Sequence, residues 1–484
     1  MKKRILFCTL TLLLIAIPFL SSCDLEQTQE QQLDALSGRD QAKQLYAFVD
    51  ENMDAISSYK STQKLSATLI AYEIPVSVES TSEISYYKDG ENTIIYNVSS
   101  YTTEAEDVKE SRTAESGFIG GKMFSKYEDD SKTSALYSRI SADEYLEYLE
   151  EKGVDIFGEI SGALDVTVEK SEEGEWSASC SAFLDDSLSV FNELLGDTSG
   201  MIGEDIRLRD VTITLLTDNN LRAKKIGISY EYQYTGTDDS VTLPSVDLEM
   251  TFSELNTLQA PTISLEDYTR VNDIRDIETV DNAIKAYKNS LSGKFMLESK
   301  VVTSAGLNKS TTSNENEIVF SRRNEGGKLT ISVEGSQVLS DGTNLTQEMR
   351  YANKYFRTRI YYNSNLLQSD SSKCTDAEAR LILENWMDQG AFTPSNIKNV
   401  QERLNEENAY TFTLLEIDAS AIFAGLSEIP EYELTEAKIT VYLDRGKLSK
   451  YIYEATIEFN YLGENYEAEI FTEANYEFRE DIIE

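Results

Sequence analysis

The chain has 484 residues, with 44 Lys and Arg against 85 Asp and Glu; its formal charge is −41 and it contains no histidine. Without imidazole there is no Ser-His-Asp or Cys-His nucleophile and no histidine-bound zinc, copper or non-haem iron. The acid excess repels nucleic acid and anionic head groups, so no nucleic-acid partner is expected, while 40% hydrophobic residues leave ample material for buried cores.

The chain opens with Lys2-Lys3-Arg4, an apolar run from Ile5 to Leu20, and then Leu20-Ser21-Ser22-Cys23. A basic start, a short hydrophobic stretch and small residues before a cut are the parts of a secretory signal. The run is short for a bilayer span. Its closing tetrapeptide resembles the lipobox of bacterial lipoproteins. That resemblance implies that residues 1–22 are removed and that Cys23 becomes a lipidated first residue. The protein would then be held on the extracytoplasmic side of a bacterial cell membrane, its membrane contact being the anchor. Residues 23–40, rich in Gln, Glu and Asp, are expected to form a flexible tether averaging about 20–25 Å end to end.

The pattern beyond the tether occurs twice, giving expected units at 41–260 and 276–484 with a linker at 261–275. Each unit opens with an amphipathic helix. Leu45, Phe48, Val49, Met53 and Ile56 share a face in the first; Val280, Ala283, Ile284, Tyr287 and Leu291 do so in the second. A strand follows in both, with Lys64 aligned on Lys294, and Asp89-Gly90 and Asp341-Gly342 read as matching turns. Ser141-Ala142-Asp143-Glu144 and Thr375-Asp376-Ala377-Glu378 have capping-box spacing and predict a short helix in each unit. Strands running into helices are predicted near Trp176 and Tyr410, with Asp185 and Asp418 at the helix starts.

Residues 211–218 match 437–444, with turns at Asn219-Asn220 and Arg445-Gly446. After those turns Ile226, Ile228, Tyr230, Tyr232 and Tyr234 alternate with polar residues, as do Tyr451, Tyr453, Ile457, Phe459 and Tyr461. Such alternation predicts half-buried antiparallel strands. Phe252-Ser253-Glu254 is read as equivalent to Phe471-Thr472-Glu473 in a closing strand. The expected fold class is therefore α+β: two tandem antiparallel curved-sheet domains with inserted helices.

This layout, carried best by residues 211–234 and 437–461, resembles the half-barrel lipoproteins of the LolA/LppX type. The resemblance implies an open curved sheet around a helical plug, with acyl chains held in the concave face. Tyr230, Tyr232, Tyr234, Ile457, Phe459 and Tyr461 then become candidate lining residues for a lipid-like or other amphiphilic ligand. The alternative is that these stripes are packed core and the protein engages an envelope partner through a sheet edge or an acidic face. No Gly-x-Ser-x-Gly elbow, phosphate loop, dinucleotide fingerprint or calcium loop occurs, so no catalytic residue, metal or cofactor is expected. Cys180 and Cys374 can form one bridge or remain free thiols.

The lipobox reading predicts that Cys23→Ser leaves the protein unprocessed or frees it from membranes. Membrane fractionation and the mass of the N-terminal peptide check this; a processed, detergent-phase Cys23→Ser protein would refute the reading.

Overall fold

A computed structural model describes residues 28–71, 74–90, 92–105, 108–128, 132–152, 165–182, 206–234, 245–288, 292–325, 328–338, 344–374, 379, 392–401, 408–417 and 431–478. Strand accounts for 66% and helix for 15%, and the strands form two large sheets, so the α+β class is corrected to a mostly-β protein. Contacts divide the chain into two compact units, Met1–Ser125 with Arg139–Leu265, and Lys126–Ser138 with Glu266–Glu484.

The first twelve strands are β1 (Ser58–Ala71), β2 (Ile74–Asp89), β3 (Asn92–Ala105), β4 (Val108–Ile119), β5 (Lys122–Glu128), β6 (Thr133–Arg139), β7 (Asp165–Lys170), β8 (Trp176–Ala182), β9 (Ile206–Thr217), β10 (Ala223–Tyr234), β11 (Ser245–Ser253) and β12 (Thr269–Arg270). Among the described residues they lie in the order β12-β6-β5-β4-β3-β2-β1-β11-β10-β9-β8-β7. The chain starts mid-sheet, meanders out to one edge, crosses to the other and meanders back until β11 pairs with β1.

The second sheet contains β13 (Ser292–Ala305), β14 (Asn308–Glu325), β15 (Lys328–Val338), β16 (Asn344–Ala352), β17 (Tyr355–Tyr362), β18 (Asn365–Lys373), β19 (Ile397–Val400), β20 (Ala409–Leu414), β21 (Tyr432–Asp444), β22 (Lys447–Tyr461) and β23 (Glu464–Phe478). Its order, β18-β17-β16-β15-β14-β13-β23-β22-β21-β20-β19, reproduces that of the first sheet strand for strand, β12 excepted.

Four α-helices are described: α1 (Gln29–Asp34), α2 (Gly38–Asp54), α3 (Ala142–Lys152) and α4 (Arg275–Lys288). The segment expected as a tether is thus helical from Gln29. Thr28 and Gln31 cap each other's backbone amides, and Leu33 is fully buried. Lys170 of β7 binds Glu30 at 2.6 Å and Asp34 at 3.4 Å while lying 5.2 Å above the Trp176 ring. Helix α2 buries Ala42, Leu45, Tyr46, Phe48, Val49 and Met53, and Ile56 is buried just beyond its end. Opposite that apolar stripe, the sheet supplies a buried face that includes Ala178, Cys180, Ile213, Leu215, Ile226, Ile228, Leu248 and Met250. Each large side chain so buried contributes roughly 1.5–3 kcal/mol. Cys180 and Cys374 are both free and buried. Burial pushes the Cys180 thiol up, against a smaller opposing pull from the Tyr46 hydroxyl beside it.

In the second unit α4 buries Ile277, Val280, Ala283 and Tyr287. The Tyr287 ring meets Tyr476 edge-on at 4.7 Å and Phe320 at 5.8 Å. Gly293 permits this packing, because a Cβ there would stand 2.8 Å from the Phe320 ring. Helix α3 begins at the predicted capping box: Glu144 N donates to Ser141 Oγ at 3.2 Å, and Ser141 N to Glu144 Oε2 at 2.9 Å. Thr375 to Glu378, Asp185, Asp418 and Leu291 lie outside the described residues.

The registers correct three sequence equivalences. Lys60, not Lys64, occupies the position of Lys294, since each stands two places along its ladder from the glutamate it binds, Glu83 at 2.8 Å and Glu317 at 3.1 Å. Lys225–Glu249 at 2.6 Å and Lys450–Glu473 at 2.9 Å repeat the same diagonal geometry. Glu249 therefore matches Glu473, and Phe252 matches Tyr476 rather than Phe471. Asp89-Gly90 closes β2 and opens the link to β3, whereas Asp341-Gly342 falls between β15 and β16 and outside the described residues, so the two positions are not equivalent.

The β9–β10 turn is closed by Asp218, which accepts from Asn220 N at 2.8 Å, Arg222 N at 3.0 Å and Arg222 Nε at 2.8 Å. Burial pushes this carboxyl up, but the Arg222 side chain and the two amides outweigh it and hold it below its ordinary value of 3.8. Its stabilisation is complete above that value and is lost as pH falls through the lowered folded-state one. Asp218→Asn should therefore be less stable than wild type at neutral pH, the gap shrinking under acid. Urea unfolding at pH 7 and pH 3 checks this; an unchanged gap would rule it out.

Candidate functional site

The inner face of β21, β22 and β23 becomes aromatic toward the β22–β23 turn. The register sets Tyr432 opposite Phe459, Phe459 opposite Tyr466 and Tyr461 opposite Glu464. Phe459 and Tyr466 stack at 5.3 Å with 13° between their planes. Tyr432 donates its hydroxyl proton to the Ile417 carbonyl at 3.3 Å. All four aromatic residues are half-buried, whereas Ile457, one step deeper on the same face, is fully buried. Phe459 and Tyr461 thus stand at the outer margin of the buried apolar face, beside Tyr432 and Tyr466, which sequence reasoning missed. A two-residue turn at Leu462-Gly463 contains the missing signal, because it fixes Phe459 against Tyr466.

Tyr230 is 3% exposed within the first unit's core. Tyr232 and Tyr234 continue β10 opposite Leu208 and Ile206, and their side chains lie outside what is described. Cys23 lies outside the described residues as well.

The opposite face of the second sheet bears an open groove of about 650 Å³. Two cross-strand rows form it: Lys300, Phe471, Glu454 and Lys438, then Val302, Glu469, Thr456 and Glu436. Lys438 and Glu436 are 4.0 Å apart, and Phe471 is 37% exposed. Beside the groove Lys450 binds Glu473 and lies 5.8 Å over the Tyr442 ring. The Lys450 contact holds the Glu473 carboxyl below its ordinary value. A smaller groove of about 270 Å³ in the first unit is lined by residues that include Thr167, Glu169, Ser177, Ser179, Thr214, Leu216 and Lys225. Among the described residues no three metal-ligating side chains converge, and no helix is long and apolar enough to cross a membrane.

Large apolar side chains stand bare around the strand ends of the second sheet. Leu307 in the β13–β14 turn is 103% exposed and Leu462 in the β22–β23 turn is 87% exposed. Because β13 pairs antiparallel with β23, both turns lie at the same end of that sheet. Leu462 also adopts φ +53, a conformation that favours glycine or asparagine and is strained for leucine. Tyr362, Leu366 and Leu367, around the β17–β18 turn, are 45%, 57% and 67% exposed at that end.

No protein-family model and no curated protein matches the chain. A Bacteroides fragilis structure provisionally described as an outer membrane protein is 8% identical, with 75% of this chain and 90% of that one covered and a TM-score of 0.19. A Nitrosomonas europaea structure provisionally described as AttH is 8% identical, with coverages of 86% and 92% and a TM-score of 0.14. Pseudomonas aeruginosa OprD is 9% identical, with coverages of 87% and 95% and a TM-score of 0.13. Superpositions this loose define no shared fold.

The burial gradient along β22 predicts that Ile457→Ala lowers unfolding free energy by about 2–5 kcal/mol. Tyr461→Ala, at the half-buried margin, should change it by less than half as much. Chemical denaturation of the two variants tests the assignment, and equal losses would overturn it.

Proposed function

We propose that this chain is a non-catalytic lipoprotein, anchored through Cys23 on the extracytoplasmic side of a bacterial cell membrane, and that it binds another protein of the envelope. The anchor rests on Leu20-Ser21-Ser22-Cys23 and the signal before it. The binding role rests on one observation: among the described residues the inner faces of the central strands bury their apolar side chains, while Leu307, Leu462, Leu366 and Leu367 stand exposed around one end of the second sheet. Exposed apolar groups gathered at one end of a fold mark an interaction site more often than scattered ones do. A leucine kept in the strained φ +53 conformation at a turn tip supports the same reading. The matching strand orders and the two repeated ion pairs support an origin of both halves in one duplicated unit.

A second reading, an amphiphile seated on Tyr432, Phe459, Tyr461 and Tyr466, is favoured by the half-exposed stack alone. Native mass spectrometry of the mature lipoprotein released from membranes separates the two. A co-purifying protein, lost in a Leu307→Ser/Leu462→Ser variant, is the expected result. A lipid beyond the covalent anchor, removed by organic extraction and lost in Phe459→Ala, would replace this reading with the second.

A further inference from the structure

The topologically equivalent edges of the two sheets are finished differently. In the first, β6 has an outer neighbour: β12 runs parallel to it, with Thr269 beside Leu136 and Arg270 beside Tyr137. In the second, β18 is the last strand, and among the described residues nothing pairs with its outer side. All nine residues of β18 are exposed. Its ladder to β17 is continuous except for one bulge at Ile360/Tyr361, so the strand is held extended. A strand held in this way presents a row of amides and carbonyls with no ladder partner. Natural edges are usually blunted by proline, bulges or several charges; β18 has no proline, one bulge, and two charged residues of opposite sign, Asp370 and Lys373.

We propose that β18 pairs antiparallel with β18 of a second copy of this chain, joining two sheets edge to edge about a twofold axis. The inference rests on the reading of this chain as a protein-binding lipoprotein, for which it names one partner. Charge selects that partner. At −41, two copies repel one another over most of their exteriors. The edge strand β18 itself carries no net charge, with one acid, Asp370, balanced by one base, Lys373, so two copies can approach there without that repulsion.

Full-length overlap is also self-complementary. Centred on Ser369, it sets Leu366 against the partner's Ser372, Leu367 against the partner's Ser371, Gln368 against the partner's Asp370 and Asn365 against the partner's Lys373. No like charges meet. Gln368 Nε2 already donates to Asp370 Oδ2 within the strand at 2.5 Å, so the twofold axis would turn that pair into a row of two amides and two carboxylates. Such an interface is isologous and closes as a dimer. Confinement of anchored copies to one membrane surface raises their effective concentration and favours it further.

The test places a thiol on the axis of the full-length protein in native membranes. Directly opposed residues across an antiparallel pair have Cβ atoms about 4.5–5.5 Å apart, close to disulfide reach. Under copper–phenanthroline oxidation, Ser369→Cys should convert largely to a covalent dimer. Ser364→Cys, in the turn, and the wild type, with buried Cys180 and Cys374, should stay monomeric. By native mass spectrometry the wild type should be a dimer, and Ser369→Lys, which opposes two lysines on the axis, a monomer. Equal crosslinking of Ser369→Cys and Ser364→Cys, or a monomeric wild type, would overturn the proposal. Crosslinking of Ser369→Cys to a different polypeptide would also overturn self-pairing, while leaving the envelope-partner reading intact.

Discussion

Each sheet hangs on the ladder between its first and last long strands. Nine positions, from Lys60–Ser253 to Thr68–Ser245, hold β1 against β11, and twelve, from Gly293–Phe478 to Ser304–Glu467, hold β13 against β23. These pairings lie mid-sheet and join residues far apart in sequence. All other strands except β12 join the sheet beside a neighbour in sequence, on one side or the other. Helices α2 and α4 enter directly before β1 and β13, so the apolar stripe of each starts beside the strand at the middle of its sheet. The cores form there, and Tyr287, Phe295 and Tyr476 pack around one such junction.

The two faces of the central strands do different work. The inner face buries apolar side chains almost without interruption: Ala455 is 5% exposed, Ile457 and Ile439 fully buried. The outer face is laid out in cross-strand charge pairs. Exposed pairs of this kind contribute about 0–1 kcal/mol each, so Lys225–Glu249 and Lys450–Glu473 fix register and solubility more than stability. Away from the centre the distinction fades. Every residue of β18 is exposed and β17 has no buried side chain, so their order depends on backbone ladders and cross-strand neighbours rather than on a core.

That fading explains which parts of the fold were legible in the sequence. Strands β9, β10, β21 and β22 read clearly because one face is buried, and burial writes a period of two. The Ser141–Glu144 cap and the faces of α2 and α4 were legible for the same kind of reason. Strand β14 is polar on both faces through much of Ser310 to Glu317, which leaves no alternation to find, and β18 likewise reads as a loop. Missing such strands tilted the expected class toward α+β. Aligning Lys64 with Lys294 was an even-numbered slip, which keeps every side chain on its own face and so escapes a pattern argument. Matching Phe252 to Phe471 was an odd slip: one ring is buried and the other exposed, and tripeptide similarity outweighed the pattern. The Thr28–Gln31 capping box is present in the sequence, but the polar composition around it, which suggests a tether, hides it.

The mid-sheet closure has a kinetic consequence. A chain emerging N-terminus first from the ribosome exposes β1 long before β11, and β13 long before β23. Neither sheet can form its central ladder until nearly all of its strands have emerged, because loop-closure entropy is lost before the non-local contacts form. Hairpins such as β13–β14 and β16–β17 will form early, with open edges on either side, and such edges invite mispairing. The half containing β1 to β11 can finish while the other is still being delivered. N-to-C emergence therefore separates in time two sheets whose strands follow the same order and could otherwise exchange partners.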